Sequence, residues 1–378
     1  MLKALPRGAF EQAVSRHAAD RHTKGFTCWG QLVAMVYGQL GGATSLRQLE
    51  AGFNQHVRHH YHLGAGAIRR STLADANARR NPQVFADTLR VLIEQAGRTV
   101  RKQREELLYL LDSTSIALSG PSRQAFGGHQ SAHGNHGVKL HLLLDAKSQA
   151  VAQWSITPAN VNDIQQGKLM GIQAGATYVF DKGYCDYNWW HSIDEQAARW
   201  VSRFKRDAAL KYERELDIVQ PAIIVRDSVV RFAHKRPRGG KVNAYTKALR
   251  RIEVARGDRQ PLVLVTNDLS SPAHEIAELY KARWGIELFF KWIKQHLTIK
   301  RFLGCTANAI GIHLLTALIA YMLVVLLKAR TQFKGSLWML LAELRAGLFQ
   351  RPHTEQSRWK RQKKHDELVR SLQPGLFT

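Results

Sequence analysis

The sequence predicts a mixed α/β protein with an all-helical N-terminal region and a β-rich insertion. Three observations carry that prediction. Residues up to about 105 space their apolar side chains helically. Five short apolar runs then alternate with helix-like stretches between Glu106 and Arg206. Finally, residues 207–262 alternate apolar and polar with period two, as antiparallel strands do.

Taken in order, "FTCWGQLVAMVYGQLGG" reads as a helix stopped by Gly41-Gly42, and "TSLRQLEAGFN" as one capped by Thr44 or Ser45. "RRSTLADANARRNP" predicts a short arginine-rich helix capped by Ser71 or Thr72. Helix, short turn and basic helix are compatible with a helix-turn-helix reader, so Arg69, Arg70 and Arg79 become candidate DNA contacts. "ELLYLLDSTS" predicts a buried strand ending in Asp112. "GVKLHLLLDA" and "AVAQWSITP" predict a hairpin, "TYVFDKGY" a strand ending at Asp181, and "RWVSRFKR" a further strand. "NDIQQGKLMGIQ" and "YNWWHSIDEQAA" are the helices between them.

The expected division is therefore a helical DNA-binding domain at 1–105, a first core part at 106–206, an insertion at 207–262, a second core part at 263–330, and a C-terminal helical region with a basic tail at 331–378. Ala309 to Leu327 is long and apolar enough to span a bilayer. Following directly on an amphipathic helix, with no second span to pair with, it is expected to be a buried core helix.

Charge narrows the function. Lys and Arg number 55 against 30 Asp and Glu, a net charge of +25, which calls for a polyanionic partner, nucleic acid before a membrane surface. Three scattered cysteines without a CxxC pair argue for a reducing compartment and against a cysteine zinc site. The N-terminus lacks a long apolar signal core, so the expected location is the cytoplasm. The histidine-rich stretches 129–141 and 56–62 could bind metal, but "GGHQSAHGN" reads as a glycine-rich loop near DNA, with no Cys or Glu among its histidines to complete a zinc set.

The chemistry concentrates in "YKARWGIELFFKWIKQH", Tyr280 to His296. At about 100° per residue, Arg283, Glu287, Lys291 and Lys294 fall within about 60° of Tyr280, and apolar side chains cover most of the remaining circle. Such a helix is expected to be buried, keeping its polar stripe for a purpose. Asp112 and Asp181 at strand ends can meet Glu287 there. Converging carboxylates need cations, and oxygen-only ligands favour Mg²⁺ or Mn²⁺. Two such ions promote in-line phosphoryl displacement. Asp145 and Asp186 are competing aspartates; Asp145 sits beside a hairpin turn, where aspartate is expected for turn reasons.

"YKARWGIELFFKWIK" matches Y-x2-R-x3-E-x6-K, and "LLDSTS" and "VFDKGY" match two aspartate motifs in the same order, so the chain resembles the IS4 family of bacterial DDE transposases. The resemblance implies an RNase H-like core with a β-strand insertion, and Asp112, Asp181 and Glu287 as the catalytic, metal-binding triad with two Mg²⁺ or Mn²⁺ ions. It also implies that Tyr280, Arg283, Lys291 and Lys294 face phosphate, and that a homodimer pairs two transposon ends at the bacterial nucleoid. Cut-and-paste transposition through end hairpins follows from the same likeness. Relatives trap a flipped base with a tryptophan of the insertion, yet residues 207–262 contain none; Trp200, Phe232 and Tyr245 are the stand-ins. A nuclease of the same fold that joins nothing and a non-catalytic DNA-binding remnant remain alternatives.

Overall fold

The computed structural model describes residues 4–102, 106–128, 130, 134, 136–204, 208–234 and 242–347. The N-terminal region is helical as expected: α1 (Arg7–Arg16), α2 (Cys28–Gly41), α3 (Leu46–Asn54), α4 (Val57–His60), α5 (Arg70–Arg79) and α6 (Gln83–Lys102). Ser45 caps α3 by accepting from the Gln48 amide. The cap expected for α5 is wrong: the helix starts at Arg70, Arg69 is the N-cap residue, and no side chain caps it. The helix-turn-helix reading also fails in its geometry. Residues 55–69 separate α3 from α5 and hold α4 and a 3-10 turn, far more than a three- or four-residue turn.

One sheet of nine strands organises the remainder, in the order β3-β2-β1-β4-β5-β9-β8-β7-β6. The strands are β1 (Leu108–Ala117), β2 (Gly137–Asp145), β3 (Val151–Pro158), β4 (Thr177–Phe180), β5 (Arg199–Ser202), β6 (Leu210–Glu215), β7 (Ile224–Phe232), β8 (Leu249–Arg256) and β9 (Arg259–Thr266). β1, β2 and β3 are antiparallel, and β1, β4 and β5 run parallel. Helices α7 (Asp163–Gly167) and α8 (Tyr187–Glu195) make the crossovers that parallel strands require. The β-rich insertion is an extension of this same sheet, because β9 returns to pair with β5. β6 was missed in the sequence. Its "LKYERE" is charged and mostly exposed, as suits an edge strand that must not recruit partners.

Helices α9 (Ala273–Ala282), α10 (Trp284–His296), α11 (Ala307–Thr331) and α12 (Leu337–Gly347) close the described fold. α11 is the long apolar helix. It is long and apolar enough to cross a membrane, but 89% of its most apolar window is buried inside the protein. It packs against α2, α5 and α6, and Tyr321 donates to the Gln149 carbonyl in the β2–β3 turn. One apolar cluster joins Leu32, Phe85, Leu110, Leu142, Ile286 and Leu318, so the N-terminal helices share the core of the sheet. His313, fully buried, sits within hydrogen-bonding reach of Gln39 Nε2 and the Thr298 carbonyl. Burial pushes it down to about 4, so the ring is neutral at neutral pH.

Candidate active site

The β1–β4 ladder creates the site. Leu111 pairs with Phe180, so Asp112 and Asp181 are the next residues along two neighbouring parallel strands. Asp181 does stand just past the end of its strand. Asp112 does not: β1 runs on to Ala117, and the aspartate is mid-strand. The ending that matters is that of β4, which stops at Phe180 and leaves residues 112–117 of β1 with β2 alone as a strand neighbour. Buried apolar side chains before each aspartate hold both segments against the core.

α10 brings the third carboxylate along β1. Gly285 lies against Leu110, where an added Cβ would meet the leucine methyl at 3.2 Å, and Lys294 Nζ donates to Thr114 Oγ1 at 2.5 Å. Nine residues of helix advance about 13.5 Å and four of strand about 13 Å, so helix and strand stay in step. Glu287 therefore falls near Asp112, on the face that Leu110 and Thr114 share.

Arg283 ties the two together. Its Nη2 donates to Glu287 Oε1 at 2.5 Å, and its Nη1 stands 4.0 Å from Asp112 Oδ2. The Tyr280 hydroxyl donates to Asp181 Oδ1 at 3.5 Å, and Arg203 Nη1 is 3.9 Å from the same oxygen. Burial pushes the Asp112 carboxyl up to about 6; the Ser113 amide and Arg283 oppose this, while Glu287 and Asp163 add to it. Burial also raises the Tyr280 phenol and lowers the Lys294 ammonium.

Among the described residues, no group of three His, Cys, Asp or Glu side chains is drawn together tightly enough to hold an ion as it stands. The donor set still suits a hard divalent cation. It is made of carboxylates, one of them is unfavourable as an anion, and a guanidinium spans two of them.

The helix Tyr280–His296 differs from its expected form. It breaks at Arg283 into α9 and α10, so the tyrosine and the glutamate sit on successive helices. It is not buried all round either: Trp284 is 57% exposed and Leu288 51%, and Lys291 also faces solvent. Trp200 is 0% exposed, stacked among Phe180 and Trp190 with Tyr245 at its edge. It is a core residue with no face to offer a base, and the buried Tyr245 shares that fate. Arg69, Arg70 and Arg79 are exposed on the N-terminal helices, Arg79 paired with Asp75 at 2.8 Å. Asp145 accepts from the Ser148 amide and hydroxyl, the turn role expected of it, and Asp186 caps α8. Most of the histidine stretch at 129–136 and the basic tail lie outside the described residues.

Two residues beside the candidate carboxylates escaped the sequence reading. Arg203 sits one residue past β5, and Asp163 begins α7, five residues beyond the end of β3. Their only signal was position just past a strand.

Residues 103–323 match the transposase DDE domain, and residues 1–66 match a domain of unknown function (DUF4372). The chain is 43% identical over 255 residues to a Sinorhizobium fredii protein named as transposase y4zB, covering 66% of this chain and 69% of that one. It is 27% identical to a Geobacillus stearothermophilus protein named as a transposase for insertion sequence element IS5377, over 62% of this chain and 61% of that one. A Synechocystis protein named as a transposase for element IS4SA is 25% identical over 68% of this chain and 71% of its own length. The matched domain takes in more than half of the chain, and Asp112, Asp181 and Glu287 all fall inside it. The chain therefore belongs to the DDE transposase family, enzymes that cut and move DNA, and the ladder that aligns the aspartates and the helix that brings up the glutamate lie inside its matched domain.

Proposed function

We propose that this protein is an insertion-sequence transposase of the IS4 type, which cuts the ends of its own element by way of hairpins and joins the 3′-OH ends to target DNA. The single observation that carries this reading is the placement of Asp112 beside Asp181 with Glu287 and Arg283 brought onto them by α9 and α10. The strand order β3-β2-β1-β4-β5, its first three strands antiparallel and β1, β4 and β5 parallel, supports an RNase H-like core.

Domains of this family use divalent metal ions, and Asp112, Asp181 and Glu287 are the residues that would hold two Mg²⁺ or Mn²⁺. Bound there, such ions activate the attacking oxygen and stabilise the leaving one. The chain's own side chains do the rest. Arg283, freed from Glu287, turns its guanidinium to a phosphate, for which its fork is well shaped. Lys294, held by a neutral hydroxyl, keeps its charge available two residues along β1 from Asp112. Tyr280 and Arg203 orient Asp181. The exposed Lys291, and Arg69, Arg70 and Arg79 on the N-terminal helices, add phosphate contacts that position DNA without reading it. Two copies act together on paired ends.

The test is to incubate the full-length protein with its element's terminal DNA and Mg²⁺, then map cut ends and joined products. Hairpins and 3′-OH ends joined to a target duplex are expected. Cutting without joining would make it a nuclease, and binding without cutting would make it a remnant.

A further inference from the structure

Asp163 belongs to neither the triad nor the phosphate-facing stripe, yet it lies at the same junction. It is the first residue of α7, the crossover from β3 to β4, and α7 packs on both β1 and the turn 182–184 that follows Asp181. α7 thus touches both chain segments that carry the catalytic aspartates.

The contacts of Asp163 lead back to Asp112. Its Oδ1 accepts from Ser113 Oγ at 2.7 Å and from Lys139 Nζ at 3.1 Å. Lys139 is further anchored on the Val161 carbonyl at 2.8 Å. Ser113 in turn donates its backbone amide to Asp112 Oδ1 at 2.8 Å. One residue therefore receives its hydroxyl orientation from Asp163 and gives its amide to the metal-binding carboxylate. The tether sits where it is needed, because β1 loses β4 as a neighbour after Leu111. Nearby, the fully buried ring of His141 stands 3.8 Å from Asp163, and its Nδ1 has no hydrogen-bond partner. Polar groups thus gather around Ser113 at the edge of the apolar cluster that holds Leu111 and Tyr184.

We infer that Asp163 is a positioning residue of the cleavage centre: through Ser113 it holds the β1 segment that presents Asp112, and through α7 it keeps that segment in register with Asp181. This rests on the metal-carboxylate reading above.

The experiment measures Mn²⁺ binding to the full-length protein by the loss of the free-ion electron paramagnetic resonance signal, with end cleavage recorded alongside. Removing a hydrogen-bond partner just outside a metal site typically weakens binding or activity about 10–100-fold. That loss is expected for Asp163→Ala, with terminal DNA still bound. Asp163→Asn keeps an acceptor for the Ser113 hydroxyl and should recover most of the loss. Ser113→Ala should weaken Mn²⁺ in the same direction, and the double variant with Asp163→Ala should be no worse than Asp163→Ala alone. Wild-type Mn²⁺ affinity in Asp163→Ala would overturn the inference. So would equal losses in Ala and Asn, or additive losses in the double variant. If Asp163→Ala does not fold, Ser113→Ala decides alone, and wild-type affinity there overturns it. Glu287→Gln separates the two claims. If that variant binds Mn²⁺ normally, the metal-carboxylate reading falls and this inference with it. If it loses Mn²⁺ while Asp163→Ala does not, only the inference falls.

Discussion

α10 and α11 are successive helices, both carrying many large apolar side chains, and the fold treats them oppositely. Both were expected to be buried. α11 is: it packs on the N-terminal helices and reaches the β2–β3 turn, and two polar side chains within its apolar stretch find internal partners, Thr316 donating to the carbonyls of Ile312 and His313, and His313 Nε2 meeting Gln39 and Thr298. α10 buries only Ile286, Phe289, Phe290 and Ile293, and leaves Trp284 and Leu288 in solvent on either side of Glu287 in sequence. Apolar composition alone does not say how many sides a helix will find covered. That is decided by the neighbours the fold supplies: α11 is packed by α2, α5, α6 and α12, whereas α10 lies on β1 and Tyr321 and leaves one side open.

The comparison can be broken first at its functional end. Glu287→Gln on α10 is expected to lower end cleavage on the order of 10³-fold or more, about 4 kcal/mol of barrier, while a filter-binding assay still shows DNA retained. Cleavage at the wild-type rate would remove α10 from the active site.

Leucines on the two helices give the next test. Leu318 of α11 is 1% exposed, and Leu318→Ala should destabilise the protein by about 2–5 kcal/mol in urea unfolding. A loss below about 1 kcal/mol there would mean that α11 is not the closed core it appears from its burial.

A third effect comes from the carboxylate facing α10. Burial lifts Asp112 from 3.8 to about 6, so the folded protein holds its proton more tightly than the unfolded chain. The resulting stability is fully present below pH about 4 and is lost as pH rises through about 6. In metal-free buffer, wild type should lose about 1–3 kcal/mol more than Asp112→Asn between pH 4 and pH 7.5. Parallel pH profiles for the two proteins would show that the site carries no such load. Added Mg²⁺ should shrink the difference, because a cation favours the anion.

The smallest effect should be Leu288→Ala, within about 0.5 kcal/mol of wild type in the same urea assay. A loss approaching that of Leu318→Ala would erase the distinction between the helices.

Much of the candidate site was legible in the chain. Asp112, Asp181 and Glu287 stood out because two apolar runs stop at a carboxylate and one helix keeps a narrow polar stripe, and the structure brings Asp112 and Glu287 to one guanidinium. Trp200 was misjudged because an aromatic at a strand end looks the same in sequence whether it faces solvent or, as here, Trp190. β6 was missed because edge strands carry charge in place of the apolar alternation that marks strands with a covered face.

Local chemistry thus determined the elements, the net charge and the identity of the acidic residues, since periodicity, capping and residue type are properties of short stretches. Tertiary structure alone decided that β4 stops level with Leu111, that β9 closes the insertion onto β5, and that Asp163 reaches Ser113. Register between strands and contact between residues 50 apart in the chain depend on the whole packed core. No window of sequence contains the partners whose burial sets them.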